Sequence, residues 1–147
     1  MAEMQAAHDN DKRGKVLVVD DSFLMRRVIR NIIEKDEDLE VLGEASDGVE
    51  ALEQVATLFP DLILLDIEMP RMDGIEFLRE ARLLTSVPVI VISSVARLGS
   101  PQAMEALEMG VADIIPKPSG VLSMDLEEKK SRELLDVLHR CLQIDER

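Results

Sequence analysis

Acidic residues follow two apolar runs of this chain, at positions where such residues can do chemistry. The run Val16–Val19 is followed by Asp20 and Asp21. The run Leu62–Leu65 is followed by Asp66. An unbroken apolar run of this length is typical of a strand buried on both faces of a sheet. Carboxylates at the carboxyl ends of two such strands are the groups from which a metal and phosphate site can be built.

A pattern of short apolar run, turn and amphipathic stretch repeats five times. The runs predicted as strands are Val16–Val19, Leu39–Leu42, Leu62–Leu65, Val89–Ile92 and Asp113–Ile115. Strands that alternate with helices predict βαβ units and a parallel sheet covered on both faces. We therefore expect an α/β fold with a doubly wound, five-stranded parallel sheet, for which 2-1-3-4-5 is a common strand order.

The stretches between the runs carry apolar residues at helical spacing. The residues predicted to form the apolar helix faces are Met25, Val28, Ile29, Ile32 and Ile33, then Leu52, Val55, Ala56 and Phe59, then Phe77, Leu78, Ala81 and Leu84, then Ala103, Ala106 and Leu107, and finally Leu134, Val137, Leu138 and Cys141. Each stretch therefore predicts one helix that packs on the sheet.

Two further polar residues are predicted to reach the same edge of the sheet. Ser93 follows the fourth run, and Lys117 lies between two prolines after the fifth. In a doubly wound sheet, ligands bind outside the carboxyl ends of the strands, where the winding direction reverses. The order 2-1-3-4-5 places strands one and three side by side at that point. Three carboxylates, a hydroxyl and a lysine are therefore expected in one crevice.

Three carboxylates in one crevice require a compensating positive charge. Like charges about 4 Å apart repel by roughly 4 kcal/mol at an effective dielectric constant of ~20. A site with only oxygen ligands and positions open to water suits Mg²⁺, which removes this repulsion. One carboxylate can then accept a phosphoryl group covalently. The charge on the transferring oxygens would be met by the metal, Lys117 and the Ser93 hydroxyl.

Simpler interpretations exist for several of these residues taken one at a time. Asp21 or Ser22 can cap the helix that follows, and Asp73, in an Asp-Gly pair, is typical of a turn and helix start. Lys117 can be an ordinary turn lysine, and Ser93 can be a polar strand end. A site is favoured because all these groups fall at one edge of the sheet, which unrelated caps and turns would not do.

Composition limits the class of protein. The chain has 147 residues, enough for one domain, and its formal charge of −13 disfavours direct nucleic-acid binding. The single cysteine, Cys141, cannot form an internal disulfide, and the polar N-terminus lacks the apolar stretch of a signal peptide. We expect a cytoplasmic protein without membrane insertion, with a flexible leader over residues 1–14 and one domain over 15–147. The histidines, His8 and His139, are expected at the solvated surface.

The segments that contain these polar residues resemble the receiver domains of two-component response regulators. The matching segments are Val18–Ser22, Asp66–Gly74, Ser93 and Lys117–Pro118, and the resemblance covers about residues 14 to 143. It implies the flavodoxin-like receiver fold with the strand order expected above. It also implies Mg²⁺ as the cofactor.

The resemblance implies a metal site built from carboxylates and one carbonyl. Asp20 and Asp21 would organise Mg²⁺. Asp66 would be a further metal ligand, and the main-chain carbonyl of Glu68 would complete the protein's share of the ligands.

The resemblance also implies the phosphoryl chemistry. Asp66 would be the phosphoacceptor, Ser93 would contact the phosphoryl group and Lys117 would pair with it. The donor would be a phosphohistidine on a sensor histidine kinase. The domain would catalyse only this transfer to itself, and would regulate its own C-terminal effector domain or a protein target.

A narrower resemblance is to the receiver of chemotaxis protein-glutamate methylesterases. The segments that carry it are Ser22–Arg26, Glu68–Gly74, Val91–Ser94 with Gly99–Ser100, Ala106–Asp113 and Lys117–Gly120. Because the sequence contains no serine-hydrolase elbow, methylesterase activity would need a further domain. The chain is expected to be the regulatory domain of such a protein, and a stand-alone response regulator is the alternative.

One position departs from the receiver pattern. Receivers usually carry an aromatic residue three positions before the lysine, and Ile114 stands there in this chain. Switching is therefore not expected to depend on an aromatic rotamer.

Three other functions are weighed against a receiver. A haloacid-dehalogenase-type phosphohydrolase also places an aspartate nucleophile and Mg²⁺ after a buried strand, but Asp66-Ile67-Glu68 followed by Met-Pro fits its motif poorly. A nucleotide-binding protein is disfavoured because neither Gly-rich phosphate fingerprint is present. A degenerate interaction domain that is never phosphorylated is disfavoured by the complete set of acidic residues and by Lys117.

Overall fold

A computed structural model describes residues 14–69, 72–118 and 124–143, with side chains in the last segment from residue 128 onward. The strands are β1 (Gly14–Val19), β2 (Leu39–Ala45), β3 (Leu62–Asp66), β4 (Val89–Ser93) and β5 (Asp113–Pro116). The helices are α1 (Phe23–Glu34), α2 (Gly48–Leu58), α3 (Gly74–Ala81), α4 (Pro101–Glu108) and α5 (Met124–Leu142), and a short 3-10 helix covers Val95–Arg97. None of the helices in these three segments is long and apolar enough to cross a membrane.

The predicted leader lies outside the described residues except for its last residue, Gly14. Gly14 begins β1, because its N–H donates to the carbonyl of Asp38 at 2.9 Å and it pairs with Leu39 of β2. Main-chain pairing holds this residue in the sheet. A glycine carries no apolar side chain that could have signalled the strand in the sequence.

The five strands form one parallel sheet in the order β2-β1-β3-β4-β5, which confirms the predicted topology. Val19 pairs with Leu65, so the residues that follow them, Asp20 and Asp66, come at the same edge of neighbouring strands. Ser93 pairs with Pro116, which places Lys117 one residue beyond the end of that pairing. The register therefore brings Asp20, Asp66, Ser93 and Lys117 to the carboxyl edge of the sheet.

Two apolar layers hold the sheet between the helices. Ile63 and Leu65 of β3 pack in the layer formed with α2, α3 and α4. Leu62 and Leu64 pack in the other layer, with α1 and α5. All four side chains are fully buried. The central strand thus has no solvent-facing side, as its unbroken apolar run predicts.

Some residues of the predicted apolar helix faces are exposed, so those predictions were wrong. Phe59 is 76% exposed and Leu84 is 54% exposed, because both lie past the ends of α2 and α3. Phe59 turns the chain with a left-handed φ of 55°, and both residues line an open groove of about 460 Å³ at the amino edge of the sheet. Ala56 and Leu107 lie within helices but are also exposed. In each helix the apolar residues cover a wider face than the part that packs on the sheet.

Candidate functional site

Asp66, the last residue of β3, is only 1% exposed. Its Oδ1 accepts a hydrogen bond from the Glu68 N–H at 3.0 Å, and its Oδ2 lies 3.2 Å from Lys117 Nζ. Burial raises the pKa of Asp66 to about 6, and the charge of Asp20 adds to this effect, while the Glu68 N–H and Lys117 oppose it. At neutral pH the group is therefore mainly a carboxylate, held in an environment that disfavours its charge.

Asp20 follows β1 and is completely buried. Its Oδ1 accepts a hydrogen bond from the Ser22 N–H at 2.8 Å. Its Oδ2 is buried without a hydrogen-bond partner, although Lys117 Nζ lies 3.4 Å away, near enough for an ion pair. Burial raises the pKa of Asp20, an effect that the Ser22 N–H and Lys117 only partly offset. Because this ion pair is long and makes no hydrogen bond, the buried oxygen can take a further partner.

Asp20, Asp21 and Asp66 each offer one carboxylate oxygen, and these three atoms lie within 4.8 Å of one another. Asp21 is exposed, so one side of the cluster is open to water. Oxygen ligands with open positions suit Mg²⁺, which keeps several of its waters. Because a cation here would also give the buried Asp20 Oδ2, which makes no hydrogen bond, a partner besides Lys117, the residues fit the metal that the resemblance implies. The metal role of the Glu68 carbonyl stays a prediction.

Lys117 lies directly after β5, between Pro116 and Pro118. Its N–H donates to the Ser93 carbonyl at 2.8 Å, which extends the pairing of β4 and β5 by one bond. Burial lowers the pKa of Lys117, but the charges of Asp20 and Asp66 and the hydrogen bond to Asp66 outweigh this effect, so the pKa is raised. The side chain is therefore a fixed cation between the two buried carboxylates.

Ser93 ends β4 and is 1% exposed. Its hydroxyl donates to the carbonyl of Ser94 at 3.1 Å. The structure thus places Ser93 at the predicted edge of the sheet, with its hydroxyl engaged by the main chain of the segment that follows β4.

The simpler interpretations hold for two of the residues near the site. Ser22 caps α1 by accepting the Met25 N–H at 3.1 Å, and Asp73 caps α3 by accepting the Glu76 N–H at 3.0 Å. Asp21 is not the cap of α1, since Ser22 fills that position. Its carboxylate instead completes the acidic cluster.

Sequence reasoning missed two arginines that contact the site. Arg97 Nε lies 3.1 Å from Glu68 Oε2, and Arg26 Nη1 donates to the main-chain carbonyl of Asp20. Arg26 falls within a segment that carried the resemblance, but nothing in its spacing indicates a partner. Both contacts depend on the course of the loops after the strands, which hydrophobic periodicity does not report.

His139 is partly buried, although it was predicted to be solvated; His8, the other histidine, lies outside the described residues. Its Nε2 lies 2.8 Å from Asp36 Oδ2, and its side chain is 18% exposed. Asp38 contributes a third oxygen within 4.8 Å. The pair joins α5 to the segment before β2, at the edge of the sheet opposite the acidic cluster, so it is a separate feature of the molecule.

Comparison with known families places this geometry in context. The chain matches the family described as the response regulator receiver domain over residues 16–125. It is 49% identical over 119 residues to a protein-glutamate methylesterase/protein-glutamine glutaminase of Pyrococcus horikoshii, covering 81% of this chain and 32% of that protein. It is also 49% identical over 125 residues to the protein of the same name from Halalkalibacterium halodurans, covering 85% of this chain and 36% of that protein. The chain thus spans about a third of the length of these relatives.

Solved structures of receiver domains are also similar to this chain. The response regulator domain of Thermotoga maritima CheB superposes with a TM-score of 0.77 at 40% identity, covering 90% of this chain and 98% of that chain. A chain in the structure of the P1 domain of CheA3 in complex with CheY6 from R. sphaeroides superposes with a TM-score of 0.67 at 42% identity, covering 85% of this chain and 98% of that one.

Proposed function

The chain belongs to the family of response regulator receiver domains, and from this membership we propose that it accepts a phosphoryl group on Asp66 from a phosphohistidine of a sensor histidine kinase. One observation carries the proposal: the buried Asp66 carboxylate lies 3.2 Å from Lys117 Nζ and shares a crevice with Asp20 and Asp21. A buried carboxylate with both a cation and a cluster of metal-ligand oxygens beside it is arranged for phosphoryl chemistry and is poorly suited to a structural role.

The transfer forms one bond and breaks one bond. An oxygen of Asp66 attacks phosphorus and forms a P–O bond, while the P–N bond to the donor imidazole breaks and its electron pair stays on the nitrogen. Lys117 and the Ser93 hydroxyl would meet the charge on the transferring oxygens. A divalent cation held by Asp20, Asp21 and Asp66, with the Glu68 carbonyl, would supply further positive charge beside these oxygens.

The exposed start of α1 supports a protein donor. Phe23 is 65% exposed and Leu24 is 73% exposed, and both lie within four residues of Asp20. Apolar side chains exposed beside a charged crevice are typical of a docking surface. A neighbouring solved structure is a complex of the P1 domain of CheA3 with CheY6. We therefore propose the phosphohistidine domain of a sensor histidine kinase as the partner of this surface.

The relatives support a regulatory output. Because the chain is about half identical to the methylesterase relatives over roughly a third of their length, we assign it the regulatory role in a chemotaxis methylesterase, with the catalytic domain as the target of regulation. A stand-alone response regulator is the alternative. The reading frame after the codon for Arg147 separates them: a methylesterase domain supports the assignment, and a stop codon contradicts it.

The phosphoacceptor role is tested with acetyl phosphate, Mg²⁺ and intact-mass spectrometry. We expect one phosphoryl group per chain, and none in Asp66→Asn. Asp136→Asn is the matched control, because Asp136 is an exposed aspartate on α5 away from the crevice. Continuous release of phosphate from small phosphoesters, without a stoichiometric phosphoprotein, would instead favour a phosphohydrolase.

A further inference from the structure

Arg26 connects the acidic site to the edge strand of the sheet. Its Nε donates to Glu44 Oε1 of β2 at 3.1 Å, and its Nη1 donates to the main-chain carbonyl of Asp20. The Arg26 side chain is only 14% exposed. A guanidinium presents its donors in a rigid fork, so two acceptors bound by one arginine are held at a fixed spacing.

Glu44 is itself fixed by a second arginine. Arg30 Nε donates to Glu44 Oε2 at 2.6 Å, and Arg30 Nη1 donates to Glu34 Oε2 at 2.8 Å. The side chains of Glu44 and Arg30 are 22% and 27% exposed. The Glu44 side chain and its two arginines are thus largely sheltered from water, so their geometry is better defined than that of an exposed ion pair. Arg26 therefore has a firm anchor in β2.

Both main-chain polar groups of Asp20 are hydrogen-bonded, one to β2 directly and the other to Arg26, which Glu44 anchors to β2. Its N–H donates to the Ala45 carbonyl at 3.0 Å, and its own carbonyl accepts from Arg26. Its Oδ1 accepts the Ser22 N–H at 2.8 Å. With these three groups fixed, the main chain sets the direction of the fourth, Oδ2, which lies 3.4 Å from Lys117 Nζ.

We propose that Arg26 is a positioning residue for the metal site, anchored by Glu44, and that it aims the Asp20 carboxylate at the bound divalent cation. The proposal rests on the proposed function, since it assumes that Asp20, Asp21 and Asp66 bind Mg²⁺. Residues that hydrogen-bond to a ligand without touching the metal commonly change metal affinity by about 10- to 100-fold when they are replaced.

The sign of the effect separates positioning from simple charge. Arg26 is a cation near a site for a cation, so removing its charge would by electrostatics alone strengthen Mg²⁺ binding. Loss of positioning would weaken it. The neighbouring Arg27 gives a matched control, because it lies on the same helix and is exposed. Both guanidinium groups lie near the centre of the Phe23 ring, that of Arg26 at 5.8 Å and that of Arg27 at 5.9 Å.

Isothermal titration of the metal-free chain with MgCl₂ measures the effect without any phosphoryl transfer. We expect Arg26→Gln to weaken Mg²⁺ binding about 10-fold, and Arg27→Gln to leave it unchanged or slightly tighter. Arg26→Lys keeps the charge but cannot hold both acceptors in one fork. It should also weaken binding, while Arg27→Lys should not. Far-UV circular dichroism establishes that each variant is folded at the titration temperature.

The outcomes are distinct. If Arg26→Gln and Arg26→Lys bind Mg²⁺ as tightly as the Arg27 variants, the positioning role is wrong. The proposed function is unaffected by that result. Where Arg26→Gln fails to fold, Arg26→Lys decides by the same criterion. A wild-type chain that gives no heat of binding at millimolar Mg²⁺ would overturn both the positioning role and the metal site on which the proposed function relies.

Discussion

Arg97 Nε lies 3.1 Å from Glu68 Oε2, so the segment after β4 is tied to the segment after β3. The Glu68 N–H also donates to Asp66 Oδ1, so the same residue contacts both the loop and the candidate phosphoacceptor. The Arg97 and Glu68 side chains are 53% and 36% exposed. A pair this exposed contributes little to stability and can separate when the charge at Asp66 changes.

The first prediction concerns the segment after β4. Beryllofluoride with Mg²⁺, which mimics the phosphoryl group, should change amide chemical shifts most over residues 94–109, because the new charge lies beside Ser93 and Lys117. Arg97→Ala should reduce the change over residues 94–100. Arg79→Ala breaks a comparably exposed pair with Glu105 of α4, and it should leave the change over residues 94–100 unaltered.

Two outcomes would contradict this prediction. One is a response confined to α2 and α3, with residues 94–109 unaffected. The other is loss of the whole response in Ile114→Ala while the domain stays folded, because Ile114 stands where receivers usually carry an aromatic residue and is expected to contribute little.

The second prediction is that Mg²⁺ stabilises the unphosphorylated domain. Binding to the folded state alone should add about 1 to 3 kcal/mol to the free energy of unfolding at ten to a hundred times Kd. Chemical denaturation followed by circular dichroism measures this. Asp21→Ala should remove most of the Mg²⁺ response, and Asp136→Ala, also an exposed aspartate, should retain it. A midpoint that is the same with and without millimolar Mg²⁺ would count against the site.

The third prediction is a pH dependence of the metal-free domain. The pKa of Asp66 is about 6 in the folded state against 3.8 as its ordinary value, so the folded state binds the proton more tightly. Between these values stability should fall as pH rises, and above pH 6 the buried charge should cost about 1 to 3 kcal/mol.

Asp66→Asn removes that charge and keeps the shape of the side chain. It should therefore stabilise the metal-free domain at pH 7, and the gain should shrink towards zero as pH falls to 4. Asp136→Asn should show no such gain. An Asp66→Asn variant that is less stable than wild type at pH 7 without metal would contradict the account.

The fourth prediction concerns the donor. Phe23→Ala combined with Leu24→Ala should lower kcat/KM for transfer from a phosphohistidine protein by about tenfold, because exposed apolar anchors at a docking surface carry much of the binding energy. Transfer from acetyl phosphate should be unchanged. Leu83→Ala is the control, since Leu83 is 81% exposed and lies beyond α3. An equal loss of kcat/KM with both donors would contradict the docking role and would indicate that these residues affect the phosphoryl-transfer step itself.

Much of the site was predictable because it depends on strand ends. Apolar runs that stop at Asp20, Asp66 and Ser93 fix where the side chains emerge, and a parallel sheet brings the carboxyl ends of its strands to one edge. The strand order 2-1-3-4-5 then decides which ends are neighbours, and the structure has that order.

What the sequence could not supply depends on loops and helix ends. In the contact of Arg26 with Asp20, a guanidinium on α1 binds a main-chain carbonyl outside the helix. Hydrophobic periodicity does not predict such a contact. Phe59 and Leu84 continue the apolar spacing of their helices but lie past the last turn, so they are exposed. The pairing of His139 with Asp36 joins residues 103 positions apart, which a local pattern does not indicate.

The central claim is that Asp66 is the one residue that becomes phosphorylated, and borohydride reduction tests it most directly. The chain is treated with acetyl phosphate and Mg²⁺, reduced so that an acyl phosphate becomes homoserine, digested and mapped by tandem mass spectrometry. We predict homoserine at position 66 alone, and none without acetyl phosphate. Homoserine at Asp20 or Asp21 with Asp66 intact, or none at any position in a folded chain that binds Mg²⁺, would contradict the account.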